Sequence, residues 1–544
     1  MGSNNPIPGE GDIYALPPDL QQVWDVIVIG TGVGGSTLGH ALACRGLSVL
    51  FLEKGGRVDQ GNPSGDALTP ESRQAQGWWP YFISQRRPDG RCDRFHAPVG
   101  CAMGGSSIYY AAALERMAAS DFDALQTTGQ KVPAWPVAYE EFLPFYARAE
   151  SLYGVVPSSD AAGEARFSDW DRALMQAMRE NGLKPERLNV GIRYDEDCQE
   201  CIGRICPRQC KSDARIACLE VALRQPRCFI LDHCDVQRLE ADDRQVHAIC
   251  ALYRGQEIKL KARVVALAAG ALHSPQILLR SSNSFWPHGL ANRSDQVGRN
   301  LMFHTSDLVA LWAPRRFSRK GRQKKSISVR DFYLHNGQRL GYVQSLGFDA
   351  GTTEIRNYLK GILRRGGIGN ERLLSLLVKV PAAIGSRVLG ESSIFAAMTE
   401  DDPSPDNRIV LDPAEPDGAS FTYTIGDDLR QRADALREAF RRSVRPWRML
   451  RMSPRLEMNY GHPCGTCRFG LDPATSVLNR DCRAHDLENF YVVDASFMPR
   501  SGAVNPSLTI AANALRAAGR IAATLSSQVS MVGGTGIEAA AIRN

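Results

Sequence analysis

In the stretch GHPCGTCRFG, residues 461–470, one histidine stands close to two cysteines: His462, Cys464 and Cys467. Two chemistries use such a set. A histidine beside C-x-x-C is a partial ligand set for zinc, although three residues this close seldom cage the ion without a fourth. Alternatively, an imidazole that titrates near neutrality serves as a general base, and the cysteines fill space as small buried side chains. A second group, Cys198, Cys201, Cys206 and Cys210, is spaced C-x2-C-x4-C-x3-C. It matches neither paired zinc knuckles nor the common ferredoxin patterns. Metal-free thiols, zinc and an iron–sulfur cluster all stay open for it.

A third pattern suits a phosphate. Gly30, Gly32 and Gly35 form G-x-G-x-x-G, and Glu53 follows eighteen residues after Gly35. Glycines allow a tight turn and close backbone approach, a helix N-terminus attracts a pyrophosphate, and an acid at this distance holds ribose hydroxyls. The flanks agree. VIVIG reads as a buried strand, GSTLGHALACRG as a helix and SVLFLEKG as a second strand, so residues 24–56 form a βαβ unit. This unit does not separate NAD from FAD. A second glycine turn, PVGCAMGGSSIYYAAA, offers Gly104, Gly105 and the hydroxyl of Ser106 to a ligand.

Further along, WPVAYEEFLPFYARAE reads as a loop and amphipathic helix, Cys228 to Ala268 as alternating strands, and GALHSPQILLRS as a turn and helix. The segment from Asn489 ends as strand, loop and long helix, and the last dozen or so residues look frayed.

A chain of 544 residues exceeds what one core usually serves, so two domains are expected. A formal charge of +6, from 65 basic and 59 acidic residues, makes no case for nucleic acid. Basic residues cluster in RRFSRKGRQKK, Arg315 to Lys325, and again between Arg356 and Arg387. Both stretches read as solvated faces, with peripheral contact to a membrane or acidic partner as the other reading. No apolar run reaches the roughly 18 residues of a membrane helix, and the opening has no signal-peptide core. A cytoplasmic protein with mostly reduced thiols is expected.

Taken together, GTGVGG with Glu53, MGGSS, WPVAYEEF, GALHSPQILLRS, HPCGTCRFG and YVVDAS…VNPSLTI resemble, in register, the glucose-methanol-choline (GMC) flavoprotein oxidoreductases. The resemblance implies an α/β fold. A Rossmann-like FAD-binding domain would be built from the separated segments 21–118, 205–304 and 455–527. An α+β substrate domain with an antiparallel sheet would comprise 119–204 and 305–454, and 528–544 would be a flexible tail.

The resemblance also implies FAD as cofactor, with Gly30, Gly32, Val33, Gly35 and Glu53 at its ADP moiety and Gly104, Gly105 and Ser106 over the pyrophosphate and isoalloxazine. Val236 would touch adenine, and Asp494 and Ala495 would lie beside the pyrophosphate and ribityl chain. Asn505 and Pro506 would open a helix facing the flavin. His462 then falls on the catalytic base and Asn505 on its partner, which orients an alcohol. Tyr109 stands where several members carry a histidine bonded to flavin, so noncovalent FAD is expected. The implied activity is oxidation of a CH–OH group in an alcohol, sugar or sterol-like substrate, with O2, a quinone or a carrier protein as acceptor. An NAD(P)-linked dehydrogenase and an electron-transfer subunit without its own substrate are the alternatives. An iron–sulfur cluster on Cys198, Cys201, Cys206 and Cys210 would make an electron exit.

Overall fold

The computed structural model describes residues 13 to 532 except 58–82, 88, 96, 127–130, 156–166, 195–197, 199, 204, 313–324, 348–351, 353–354, 357–358, 361–362, 364–367, 390–391, 416–417 and 453–454. Of the basic run from Arg315, only Lys325 lies among the described residues.

The first glycine pattern sits where its composition requires. β1 (Val23–Ile29), α1 (Val33–Ala43) and β2 (Val49–Leu52) form a βαβ unit with parallel strands, Val26 opposite Val49. The apolar runs VIVI and VLFL are buried throughout, as strands covered on both faces must be. Gly30 leaves β1 at a φ of 95°, where an L side chain is strained, and a Cβ there would lie 2.5 Å from the carbonyl oxygen of Ala268.

The sheet around this unit has seven strands. Cys228–Leu231, β2, β1 and the second half of Gln256–Leu267 run parallel, and Phe490–Val492 joins beyond them. The first half of Gln256–Leu267 pairs antiparallel with Val246–Tyr253, which pairs with Cys234–Ala241. One long strand therefore serves both a parallel core and an antiparallel meander. Helix Ser507–Val532 packs on α1 and passes the expected tail boundary at residue 528.

A second sheet holds six antiparallel strands in the order Arg448–Arg451, Asp307–Trp312, Ser393–Met398, Tyr342–Ser345, Ile327–Val329 and Pro185–Arg187. Side-chain alternation divides its residues. Val343, Phe395 and Ala397 join Leu436 and Phe440 of helix Asp427–Ser443 in a core, whereas Gln344, Ala396 and Met398 point the other way and line a cavity. A smaller four-stranded sheet carries Ile83–Arg86 and Cys92–Phe95.

Helix Glu371–Leu389 buries Leu374, Val378 and Ala382 but exposes Leu373, Leu376, Leu377, Val380, Ile384 and Val388 by 45 to 70%. No helix among the described residues is long and apolar enough to cross a membrane.

Candidate active site

A cavity of about 540 Å³ joins the β1–α1 turn to the inner face of the antiparallel sheet, a volume within the ordinary range for ligand sites. Gly30, Gly32, Val33, Glu53, Gly105, Ser106, Val236, Asp494, Ala495, Asn505, Pro506 and His462 all line it. Gly35 and Gly104 do not. A Cβ on Gly35 would meet the Gly30 carbonyl oxygen at 2.0 Å and one on Gly104 would meet Ile108 at 2.7 Å, so these two glycines serve packing behind the wall.

Around the first turn the polar groups are fixed by the protein. Glu53 accepts from the Thr31 amide at 3.0 Å, the Thr31 hydroxyl at 2.6 Å and the Gly55 amide at 2.9 Å. Burial pushes its carboxyl above the usual range, against the pull of these donors. The Thr31 hydroxyl also accepts from the Gly104 amide at 3.1 Å, tying the two glycine turns together. Asp494 accepts from the Gly270 amide at 2.9 Å, Ser274 Oγ at 2.5 Å and the Ser496 amide at 2.8 Å. It pins the end of Phe490–Val492 to the turn before helix Ser274–Arg280.

His462 lies on Met458–Cys464, which pairs antiparallel with Met302–Thr305. Between the pairs Met302↔Cys464 and His304↔Asn459 the first of these strands has four intervening residues and the second has one. Such an irregularity re-aims side chains, and Pro463, lacking an N–H, suits a break in the ladder. Asn459 Nδ2 stands 3.2 Å from His462 Nδ1, and the His304 ring meets the His462 ring edge-on at 5.1 Å between centroids. Burial, with the neighbouring His304 and Lys325, holds the His462 pKa well below its ordinary value, so the imidazole is neutral and free to accept a proton.

Asn505, just before helix Ser507–Val532, has a buried Oδ1 with no hydrogen-bond partner among the described residues. An unsatisfied buried acceptor at a cavity wall is costly unless a ligand meets it.

Cys464 and Cys467 are fully buried, and burial pushes both thiols up. The Gly465 and Cys467 amides donate to the Ala495 and Ser496 carbonyls at 3.2 and 2.8 Å and stitch the motif to the Asp494 turn.

The iron–sulfur reading of the second cysteine group is not supported. Cys198, Cys201, Cys206 and Cys210 do border one small cavity of about 50 Å³. Their sulfurs, however, are engaged locally: Cys206 Sγ accepts from Cys201 and from the Cys210 amide at 3.2 Å, and Cys198 Sγ from the Glu200 amide at 3.4 Å. Among the described residues no group of three or more His, Cys, Asp or Glu is arranged to hold a metal ion.

Thr31, Asn459 and His304 escape sequence reasoning because each acts through a neighbour distant in the chain or hidden within a strand pattern. Lys325 escapes it because it closes a run that reads as solvated, yet it is 1% exposed and lines the cavity.

Comparison with known proteins gives a consistent result. The family models described as GMC oxidoreductase match residues 24–306 and 403–514. The chain is similar to the paromamine 6'-oxidase of Streptomyces fradiae, 29% identical over 94% of this chain and 93% of that protein. It is also similar to the fructose dehydrogenase large subunit of Gluconobacter japonicus, 26% identical over 91% and 97%. Among solved structures, pyridoxine 4-oxidase from Mesorbium loti aligns with a TM-score of 0.61 at 21% identity, covering 91% of this chain and 99% of that one. A formate oxidase aligns with a TM-score of 0.66 at 16% identity, covering 94% and 100%.

Proposed function

This chain belongs to the GMC oxidoreductases, and from that premise we propose that it oxidises a CH–OH group to a carbonyl with FAD held noncovalently in the large cavity. The observation that carries the reading is one lined space: His462 and Asn505 face the same cavity as the glycine turn and Glu53. The residues fit the cofactor. Gly30, Gly32, Gly105 and Ser106 would hold its phosphates, Glu53 and Val236 its adenosine, and Asp494, Ala495 and Pro506 the remainder. FAD, when bound, supplies the acceptor for the hydride that leaves the carbinol carbon.

The chain's own work is with the proton and with position. His462 takes the hydroxyl proton at a ring nitrogen, because the depressed pKa keeps the ring neutral. Asn459 orients that ring through its amide. Asn505 lacks a titratable group and instead aligns the alcohol by donating from its amide nitrogen to the hydroxyl oxygen, which leaves the single hydroxyl proton to His462. The test is His462→Ala. FAD should stay bound, while anaerobic flavin reduction by a substrate alcohol slows by about 10²–10⁴-fold, the usual contribution of a general base. Unchanged reduction kinetics would remove His462 from the mechanism, and a protein that takes up no FAD would remove the reading as a whole.

The exposed apolar stripe of helix Glu371–Leu389, flanked by Arg372, Lys379 and Arg387, supports peripheral contact with an anionic membrane. The protein should sediment with phosphatidylserine vesicles, and Leu376→Ser with Val380→Ser should abolish this.

A further inference from the structure

Lys325 is a buried charge whose part in the proposed reaction so far is only to help burial and His304 keep the His462 ring neutral. Its residue is 1% exposed, and among the described residues no side chain hydrogen-bonds or ion-pairs with its ammonium. Its backbone is fixed: the Lys325 amide donates to Glu200 Oε1 at 2.8 Å, and the next two amides donate to Ser345 Oγ at 2.9 Å each. The side chain lines the same cavity as His462, Asn459 and Asn505. Of the residues Ser306, Lys325, Gln344, Leu346, Ala396 and Met398, which line this wall, Lys325 alone carries a charge. Glu200 attracts the ammonium from a distance, and burial lowers the lysine pKa to about 8. At neutral pH the group is still mainly cationic.

A desolvated ammonium facing a cavity without a counter-charge in contact is unfavourable until something anionic meets it. Given the oxidation of an alcohol proposed above, on which this rests, we infer that Lys325 is the specificity-determining residue of the substrate site, and that the alcohol oxidised here carries an anionic group, a carboxylate or phosphate. A cationic amine in the same place would face like charge. Neutral alcohols would leave the ammonium unmet.

The experiment uses the FAD-loaded enzyme with glucose, glucuronate, glucose 6-phosphate and glucosamine, and with glycerol, glycerate and glycerol 3-phosphate. Binding is read from the flavin difference spectrum and reduction from anaerobic bleaching. An anionic member of a set should bind at least about ten-fold tighter than its neutral counterpart, as a charge-assisted contact in a desolvated site does, and glucosamine should bind worst. Lys325→Met should collapse the anionic-to-neutral ratio while FAD is retained, and Lys325→Arg should restore much of it. Whether carboxylates or phosphates lead identifies the group. Equal affinities in the unaltered enzyme, or a preference that survives Lys325→Met, overturns the inference. Lys325-dependent anion binding without reduction by any member leaves the anion site standing and removes the oxidation reading. Reduction without anion preference does the reverse.

Discussion

At the residue scale two buried groups at strand Met302–Thr305, His304 and Asp401, pull the response to acid in opposite directions. His304, fully buried, has its pKa lowered to about 4 by burial, from an ordinary 6.5. Asp401, also buried, is pushed up to about 7 by burial from an ordinary 3.8, although the Tyr423 hydroxyl donates to it at 2.7 Å. The signs oppose. Between pH 6.5 and 4 the unfolded chain protonates the histidine and the folded one does not, so His304 costs stability as pH falls. Between 3.8 and 7 the folded chain keeps a proton on Asp401 that the unfolded one releases, so this residue costs stability as pH rises. Each shift corresponds to on the order of 3 kcal/mol. Asp401→Asn should therefore expose the histidine, with denaturation midpoints falling more steeply than wild type from pH 6.5 to 4. His304→Gln should tilt the profile the other way. Parallel profiles for all three proteins would show that these two groups do not hold opposed protons.

At the scale of elements, the first βαβ unit and the C-terminal turn are held together by close backbone approach. A Cβ on Gly34 of α1 would lie 2.2 Å from the Val493 carbonyl oxygen, just before Asp494. Helix propensity alone favours alanine over glycine by about 1 kcal/mol, but here a rigid backbone occupies the space. Gly34→Ala should lower stability by about 1–3 kcal/mol, the usual cost of overpacking, and weaken FAD binding by moving the Asp494 turn. Gly519 in helix Ser507–Val532 is the counterpart, with nothing within 4 Å of a Cβ. Gly519→Ala should raise stability by up to about 1 kcal/mol. Thermal melts of the two variants should shift in opposite directions; shifts of the same sign would sink the account.

These elements also show what was legible in the sequence. VIVIG and SVLFLEKG announce parallel strands by their continuous apolar character, and Cys228 to Ala268 announces its meander by alternation. The ladder break that aims His462 has no such signal, because it depends on pairing with Met302–Thr305, far away in the chain. Lys325 misleads for a related reason: charge in a basic run ordinarily means solvent, and only the strand pairing of Ile327–Val329 with Tyr342–Ser345 places it beside a cavity.

At the scale of the whole molecule, the cavity lies between the parallel sheet and the antiparallel one, and its walls come from segments spread from Ile29 to Ile510. The resemblance to a known family made that arrangement legible where local patterns could not, since no periodicity says which distant segments meet. The helix Glu371–Leu389 is the reverse case. Its sequence reads as a solvated face or as a contact with a membrane or acidic partner, and only the packing shows which apolar side chains stay uncovered.

The strand Phe490–Val492 enters the parallel sheet beside Gln256–Leu267, and Asp494 and Asn505 follow it directly. During synthesis the glycine turn near the start of the chain leaves the ribosome hundreds of residues before these partners do. A nascent chain halted before Phe490 would display the glycine turn open on one side, with no Asp494 turn and no helix Ser507–Val532 to close it. On the proposed function, a cofactor site walled on both sides exists only once Phe490–Val492 has paired with Gln256–Leu267 and helix Ser507–Val532 has packed on α1.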